Sequence, residues 1–473
     1  MISIVKLRKI YFKALTAILK IFLIKMDITP IYSLYLAHPT ISTDTRNIEN
    51  GCIFFALKGP NFNANSFAQE ALNKGAAYVV IDDSTFKISE KCILVDDVLT
   101  TLQQLAKHHR QQLKIPVIAI VGSNGKTTTK ELITSVLSQK FTVLSTPGNF
   151  NNHIGLPLTL LKLNATHKMA VIEMGANHIG ENAFLCEIAC PDFGIVTNNG
   201  KDHLEGFGSM EGVAQSNSEL YYYLLKNNGL SFVNANDEWL MRMATRLNKK
   251  ITYAANDDTS SDSYRTTLSM TNVDCIGIAK SLRPEIQFSI LHPDSNRDQL
   301  SIKSCLSGDY NFDNIMAAVC IGKHFGLNED EIKKGIEIYE PKNNRSQVVK
   351  KQHNTIYMDA YNSNPSSLEA SLRNFAAMPF EGKVAIIGDM FELGKYAEEE
   401  HQNMIALCNE LKLENVIFVG EEFMKQNKNS AYTFLKTNEA AIEFVKKMNL
   451  TGKNIFMKGS RGMKLESIAD VIS

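Results

Sequence analysis

The segment 117–129 constrains the fold more than any other, because a strand pattern, a glycine-rich turn and a helical pattern follow one another in it. The run Val117–Val121 is apolar and β-branched, which is typical of a buried strand. A glycine-rich turn, Gly122–Gly125, follows it, and a helical pattern begins near Lys126. Such a turn brings backbone N–H groups and the helix N-terminus together at one point, where they bind phosphate. The segment therefore predicts an α/β domain with a phosphate loop.

The residues of this loop indicate which ligand it holds. Lys126 adds a positive charge for the β- and γ-phosphates, and Thr127 supplies a hydroxyl for Mg²⁺. The longer pattern GxxxxGK[ST] would need glycine at the position of Ile120, so the loop is a shortened GxxGKT variant. Its flanking strand and helix are the surroundings that a phosphate loop requires. We predict that the chain binds ATP with Mg²⁺; a switch, a motor, a kinase and a ligase are all compatible with such a loop.

Length and composition exclude several other classes. A chain of 473 residues is long enough for two to four domains. Fifty Lys and Arg balance fifty Asp and Glu, so a general binder of nucleic acid or of a membrane surface is not expected. The eight cysteines form no CxxC pair. This favours reduced thiols, a cytoplasmic protein and no zinc site.

Residues 1–25 differ from the rest of the chain, with six basic residues and no acidic one. Lysines on one side of a helical pattern and apolar residues on the other are typical of a helix on a membrane surface. The segment is too short and too charged to span a bilayer, and Lys20 interrupts the apolar run that a secretory signal needs. The alternative, which we favour, is that translation starts at Met26 and that this leader is an artefact.

The order in which strand and helix patterns alternate along the sequence predicts an α/β fold with three domains. Residues 26–113 have the pattern of a small α/β unit. In residues 114–340, buried strands alternate with helices, which predicts a mostly parallel sheet, and alternating patterns between 274 and 305 add antiparallel hairpins. Residues 341–473 repeat strand–helix units of the length found in a doubly wound, Rossmann-like domain.

Two further side chains follow predicted strands of the central domain. Glu173 ends an apolar strand, where a carboxylate can bind the Mg²⁺ of a nucleotide. A lone glutamate at such a position is more often a solvated strand end. His203 lies in a polar loop after another strand and is compatible with an ordinary surface histidine.

A set of motifs, in this order, resembles the ATP-dependent Mur ligases of peptidoglycan synthesis, and most of all the members that add D-alanyl-D-alanine. The likeness covers nearly the whole chain from Met26 onward. The motifs are Ser42–Arg46, Gly122–Thr128, Gly148–Pro157, Glu173–Gly175, His203–Ser209, Asn311–Asn314, Tyr361–Pro365, Gly388–Gly394 and Lys458–Arg461.

The resemblance implies an activity. In these ligases the first domain holds a UDP-sugar, the central domain holds ATP, and the third closes over both. ATP phosphorylates the carboxylate of UDP-N-acetylmuramoyl-tripeptide, and the amine of D-alanyl-D-alanine attacks the acyl phosphate to give the pentapeptide precursor, ADP and phosphate. A sister amide ligase, a folylpolyglutamate synthase and a nucleotide-binding homologue with impaired catalysis are the alternatives. We expect a monomer without a membrane span.

The resemblance also assigns roles to single residues. Catalysis is assigned to Lys126, Glu173 and His203. Nucleotide binding is assigned to the loop and three other side chains: Gly122, Ser123, Asn124, Gly125, Lys126, Thr127 and Thr128, with Asn314, Arg345 and Asp359. Substrate binding is assigned to Ser42, Asp44, Arg46, Asn151, Asn362 and Asn364. Metal binding is assigned to Thr127, Glu173, His203 and Asn217.

Asn217 is a departure from the family pattern. Many members carry at this place a lysine that CO₂ carbamylates, so that its new carboxylate helps to hold a second Mg²⁺. Asparagine offers a neutral oxygen and cannot be carbamylated. Either Asn217, water and a substituting carboxylate such as Glu219 hold the metal, or the enzyme is impaired; we favour the first alternative.

Overall fold

A computed structural model describes residues 27–257, 273–291, 300–427, 431–448 and 450–473. The hypothesis about residues 1–25 lies outside these ranges. The chain divides into two compact units, one ending at Gln112 and the other beginning at Leu113. Within the described ranges, no helix combines the length and the apolar character that a bilayer span requires.

The first unit is a small α/β structure. Its strands are β1 (Ile41–Ser42), β2 (Ile53–Phe55), β3 (Lys58–Gly59), β4 (Phe62–Asn63), β5 (Tyr78–Ile81) and β6 (Cys92–Leu94), and its helices are α1 (Thr29–Ala37), α2 (Ala68–Asn73) and α3 (Val98–Leu113). Strands β1, β2, β5 and β6 form a parallel sheet in that order. Phe54, Val79 and Ile81 lie in its apolar core.

The second unit begins with a nine-stranded sheet. Its strands are β7 (Val117–Val121), β8 (Val143–Ser145), β9 (Met169–Glu173), β10 (Phe193–Val196), β11 (Leu230–Asn234), β12 (Lys250–Asp257), β13 (Cys275–Ser281), β14 (Ile286–Ile290) and β15 (Ser301–Ser304). Its helices are α4 (Lys126–Leu137), α5 (Gly155–Leu160), α6 (Glu181–Ala189), α7 (Leu204–Phe207), α8 (Met210–Lys226), α9 (Glu238–Met243), α10 (Asp309–His324) and α11 (Glu329–Glu337).

The order of the strands in this sheet is β15-β14-β13-β12-β11-β10-β7-β9-β8. Pairing is parallel from β8 to β13 and antiparallel from β13 to β15. This confirms the predicted parallel sheet with antiparallel additions. All five residues of β7 are fully buried, as expected for a central parallel strand covered on both faces.

A six-stranded sheet follows in the same unit. Its strands are β16 (Gln347–Lys350), β17 (Thr355–Asp359), β18 (Lys383–Gly388), β19 (Val416–Val419), β20 (Thr433–Leu435) and β21 (Asn454–Lys458), and its helices are α12 (Pro365–Ala377), α13 (Ala397–Glu410), α14 (Glu421–Lys425), α15 (Asn438–Lys447) and α16 (Glu466–Ala469). The order is β16-β17-β21-β18-β19-β20, and only β16 is antiparallel to its neighbour. Separate apolar clusters pack on the helices of this region, as in a doubly wound fold.

Candidate active site

The phosphate loop lies at the carboxyl end of β7. Strands β9 and β10 flank β7, so the carboxyl ends of three neighbouring strands meet at one edge of the sheet. Helix α4 begins at Lys126, directly after the loop, and its N-terminus carries a partial positive charge. Ligands of open α/β sheets bind in crevices at this kind of edge.

Two glycines of the loop adopt a backbone conformation that other residues rarely take. Gly122 has a φ of +132°, and a Cβ there would lie 2.1 Å from Thr197 Oγ1. Gly125 has a φ of +78°, and a Cβ there would lie 2.7 Å from Asn314 Oδ1. Glycine is therefore needed at both positions for the backbone angle and for close packing.

The segment after β10 fixes the loop from the other side. Gly200 N donates to Ser123 Oγ at 2.9 Å, and that hydroxyl donates to Gly200 O at 3.2 Å. Asn124 N donates to Asn198 Oδ1 at 3.1 Å, and its carbonyl accepts from Thr197 Oγ1 at 2.7 Å. These bonds shape the loop without any ligand, which lowers the entropy lost when a phosphate binds.

The predicted lysine stays at its own loop. Lys126 Nζ donates to Gly122 O at 2.5 Å and to Ser123 O at 3.1 Å, and it lies 3.9 Å from Asp202 Oδ2. The ammonium group is thus held beside the N–H groups of the loop. It can act on phosphoryl oxygens there without a large movement of the backbone.

Glu173 is buried at the end of β9, with only 2% of the residue exposed. Asn151 Nδ2 donates to its Oε1 at 2.8 Å. Its Oε2 is buried and has no hydrogen-bond partner; the nearest cation is Lys130 Nζ, 3.8 Å away. A carboxylate oxygen that is buried without a hydrogen-bond partner is costly, so it points to a ligand that completes it.

The residues present fit Mg²⁺. In nucleotide sites this ion is bound by one or two protein oxygens together with phosphate oxygens and water. The bare Glu173 Oε2 and the hydroxyl of the buried Thr127 are oxygen ligands of that kind. Among the described residues, no three His, Cys, Asp or Glu side chains are placed to hold a metal by themselves. The site therefore suits a metal that nucleotide oxygens help to hold.

His203 lies where the central and third domains meet. It precedes α7 with a φ of +45°. Its Nδ1 contacts Glu392 Oε2 of the third domain, and its Nε2 lies 3.6 Å from Asp202 Oδ1. The imidazole is thus flanked by two carboxylates. Its predicted role at a second metal stays a prediction.

Asn217 lies buried on α8, and its Nδ2 donates to Asn199 Oδ1 at 2.9 Å. Its side chain therefore faces the segment after β10, and its predicted role at a metal stays a prediction. The suggested substitute, Glu219, binds backbone N–H groups near another helix, and its role at a metal also stays a prediction. Its oxygens accept from Gly180 N at 2.6 Å and from Ala183 N at 2.8 Å at the start of α6, and burial raises its pKa.

The third domain reaches the phosphate loop through Asn364. This residue is the N-cap of α12, where its Oδ1 accepts from Ser367 N at 2.8 Å. Its Nδ2 donates to Asn124 Oδ1 at 2.8 Å and to Asp202 Oδ1 at 3.1 Å. The side chain thus connects two domains, and its predicted contact with the dipeptide stays a prediction.

Lys201 makes two more contacts with the third domain. Its backbone N donates to Ser366 Oγ at 2.8 Å. Its Nζ lies 2.6 Å from Glu400 Oε1, a carboxylate whose side chain is only 5% exposed. The central and third domains are therefore held together around the loop by polar contacts.

Asn314 lies between the loop and a polar cleft of about 230 Å³. Its Oδ1 accepts from Thr129 Oγ1 at 3.0 Å, and its Nδ2 donates to Asn311 Oδ1 at 3.3 Å. Amides of Asn234 and Asn236 line the same cleft. Amides of this kind can recognise the edge of a purine by hydrogen bonds.

The remaining predicted residues of the third domain form a second group. The Arg345 guanidinium lies over the Tyr361 ring, 3.7 Å from its centroid. Lys458 Nζ donates to Asp359 Oδ2 at 2.5 Å and to Asn362 O at 3.3 Å. The structure thus brings residues of the motifs Tyr361–Pro365 and Lys458–Arg461 together with Asp359 at the ends of β17 and β21.

The predicted UDP-sugar residues lie in the first unit. Arg46 donates to Asp44 from Nε and Nη2, which form one edge of the guanidinium group, at 2.7 to 3.1 Å, and these hydrogen bonds lower the pKa of Asp44 to about 2. Ser42 Oγ donates to Asp44 O at 3.0 Å. The three residues are neighbours around the 3₁₀ turn Thr45–Asn47, and their role in binding stays a prediction.

Several site residues escaped the sequence analysis. Lys130 and Asp202 have charged side chains beside predicted ones, and each lies within four residues of a motif position that was recognised; Glu392 was recognised only as part of the motif Gly388–Gly394. Lys130 carried the clearest signal, because it lies one helical turn after Lys126 on the same face of α4. Tyr361 was recognised only as part of a motif.

Comparisons with known proteins agree with this geometry. The profile of the Mur ligase middle domain matches residues 120–322, and that of the Mur ligase glutamate ligase domain matches residues 344–461. A UDP-N-acetylmuramoyl-tripeptide–D-alanyl-D-alanine ligase of Bacillus subtilis is 34% identical over 90% of this chain and 92% of its own. The enzyme of that name from Escherichia coli is 31% identical over the same shares.

Solved structures give the same result. MurF from Acinetobacter baumannii aligns with a TM-score of 0.80 at 27% identity, covering 91% of this chain and 93% of its own. MurF ligase from Thermotoga maritima, in complex with ADP, aligns with a TM-score of 0.78 at 26% identity, covering 91% and 96%. The similarity thus extends through both sheets of the second unit and into the first unit. This chain belongs to the Mur ligase family.

Proposed function

We propose that this chain joins D-alanyl-D-alanine to UDP-N-acetylmuramoyl-tripeptide at the expense of ATP, giving the pentapeptide precursor of peptidoglycan. The observation that carries the proposal is a preformed phosphate loop beside Glu173, whose Oε2 is buried without a hydrogen bond. The full-length relatives of that name support the choice of substrates. They favour this reaction over that of a sister ligase or a folylpolyglutamate synthase.

The chemistry requires that a carboxylate become a good acyl donor. Transfer of the γ-phosphoryl group of ATP to the tripeptide carboxylate gives an acyl phosphate, from which phosphate can leave when the amine attacks. Lys126 offsets the negative charge that develops on the phosphoryl oxygens. The N–H groups of the loop and the N-terminus of α4 hold the remaining phosphates.

Magnesium would be held by Thr127 and by Glu173 Oε2, the oxygen without a hydrogen bond, and Asn151 would orient the carboxylate. When bound, the ion would act as a Lewis acid and offset the negative charge of the phosphates. His203 and Asn217 are the further candidates. Asn314 would contact adenine in the polar cleft, and Arg345 and Asp359 the nucleotide from the third domain.

Contacts between the central and third domains give the acyl phosphate a protected site. The bonds of Asn364 and Lys201 hold the third domain against the loop. Water is thereby kept from the acyl phosphate, which it would otherwise hydrolyse without forming product. Asn362, Asn364 and Asn151 are proposed contacts of the peptide substrates.

We propose domain roles that follow the predicted boundaries 26–113, 114–340 and 341–473. The first would bind the UDP-sugar through Ser42, Asp44 and Arg46, the second ATP, and the third the incoming dipeptide. We further propose that the enzyme acts as a monomer in the cytoplasm, where ATP is available, and that cell division depends on its product.

Phosphate release with purified full-length protein tests this function. We expect ADP and phosphate to form only when ATP, D-alanyl-D-alanine and the UDP-linked tripeptide are all present, with lysine or diaminopimelate as its third residue. Omitting the dipeptide should abolish turnover. Equal ATP hydrolysis without either peptide substrate, or ligation of glutamate to a folate instead, would refute the proposal.

A second prediction follows from Asn217. Because an amide cannot be carbamylated, we expect ligation to be independent of bicarbonate and to need more Mg²⁺ than in the matched variant Asn217→Lys with bicarbonate. The measurement is a Mg²⁺ titration of ligation for both proteins, with CO₂ removed or added. Bicarbonate-dependent activity of the unaltered chain would contradict the substitution argument.

A further inference from the structure

Lys130 is a buried charge that the reaction described above does not use. It lies on α4 with 3% of the residue exposed. Its Nζ donates to Thr146 O at 2.9 Å, which fixes the position of the ammonium group. A lysine is rarely buried to this extent without an anionic partner.

Two carboxylates face this ammonium group at distances too long for hydrogen bonds. Glu173 Oε2 lies 3.8 Å away and Glu131 Oε1 lies 3.9 Å away. The attraction is therefore one of charge, and it leaves the lone pairs of Glu173 Oε2 free. A hydrogen-bonded lysine would have occupied the oxygen that a metal needs.

Both carboxylates are anchored on their far sides. Asn151 donates to Glu173 Oε1 at 2.8 Å, and Tyr339 Oη donates to Glu131 Oε2 at 2.9 Å. Neither carboxylate has to move toward the lysine to be satisfied. The row Glu131–Lys130–Glu173, in which Lys130 and Glu173 are buried and Glu131 is partly exposed, is thus held with one oxygen of Glu173 open.

We propose that Lys130 is a positioning residue that serves as the resident counter-charge of Glu173. In the nucleotide-free enzyme it takes the electrostatic place of Mg²⁺ beside the carboxylate and leaves Oε2 open. Because a positive charge is already present, Mg²⁺ alone binds weakly and enters together with the nucleotide. The inference rests on the proposed function only for the identity of the metal.

The test is the thermal midpoint of the full-length, nucleotide-free protein with and without Mg²⁺. Removing one partner of a buried ion pair leaves an uncompensated charge, whereas removing both is often tolerated. We therefore expect Lys130→Met to melt lower by at least about 5 °C without Mg²⁺ and to regain most of this loss when Mg²⁺ is added. The unaltered protein should respond little to Mg²⁺ alone.

Two further variants complete the cycle. Lys130→Met combined with Glu173→Gln should regain stability and show no response to Mg²⁺, and Lys130→Arg should behave like the unaltered protein. Equal Mg²⁺ shifts in the unaltered protein and in Lys130→Met would overturn the proposal. So would a double variant as unstable as the single one, including the case in which neither folds.

The same proteins separate this inference from the proposed function. The melting experiment uses no substrate, so it stands even if ligation is not observed. With saturating ATP we expect Lys130→Met to reach half-maximal ligation at a Mg²⁺ concentration about fivefold lower than the unaltered enzyme needs. The reason is the loss of the repulsion between the Lys130 ammonium group and Mg²⁺, and a fivefold change corresponds to about 1 kcal/mol. A higher Mg²⁺ requirement would count against the counter-charge.

Discussion

Replacing Lys126 by alanine should reduce ligation by about 10² or more while leaving the fold intact. The ammonium group is positioned at the loop by the carbonyls of Gly122 and Ser123 and acts on charge that develops during phosphoryl transfer. No apolar packing depends on it. The thermal midpoint should therefore change by no more than the loss of one or two hydrogen bonds, about 1 kcal/mol each.

The matched control for this variant is Lys140→Ala. Lys140 also donates to a backbone carbonyl, that of Gly326 at 2.6 Å, but it is exposed and lies after the other end of α4. We expect its ligation rate to stay within about twofold, as for surface substitutions in general. Turnover of Lys126→Ala equal to that of Lys140→Ala would remove the phosphate-loop assignment.

Gly125→Ala should weaken the binding of ADP at least tenfold. Alanine is strained at a φ of +78°, by about 1–2 kcal/mol. Its Cβ would also lie 2.7 Å from Asn314 Oδ1, an oxygen that the bond from Thr129 holds in place. The loop would have to move away from Asn314, which disturbs the phosphate site and the polar cleft together.

Gly208→Ala is the control that separates the effect of backbone strain from the effect of a close contact with Asn314. Gly208 has a φ of +77°, and a Cβ there meets no atom within 4 Å. Both variants bear the same backbone strain, so only Gly125→Ala should lose affinity for ADP, as measured by titration calorimetry. Equal losses in the two variants would show that Asn314 does not shape the site.

The fold followed closely from local patterns. β7 is a run of five buried residues, as its apolar, β-branched sequence predicts. The antiparallel strands β13, β14 and β15 were also recognisable from their alternation. The strands β16 and β20 are not specified by a local pattern, because these short strands at the edges of the sheet are partly exposed and lack a strong apolar signal.

The candidate site was predictable only in part. Lys126, Thr127 and Glu173 follow from strand ends that meet in a parallel sheet. The contact of His203 with Glu392 joins positions that are far apart in the sequence, and no local pattern specifies it. The partners of Asn217 and Glu219 were not predictable for the same reason, because residues two apart on one helix point in different directions and only the packing of α8 shows what each side chain meets.

The two hydrogen bonds that Asn364 donates, to Asn124 and to Asp202, have a kinetic consequence. We expect the release of ADP to require the third domain to move away from the loop, and that movement would break one hydrogen bond to the phosphate loop and another to the buried Asp202. A bond to a charged group is worth about 1.5–3 kcal/mol, which can slow a step about tenfold or more. We therefore expect the residence time of ADP to depend partly on Asn364, the N-cap residue of α12, although this residue is not a proposed contact of the base.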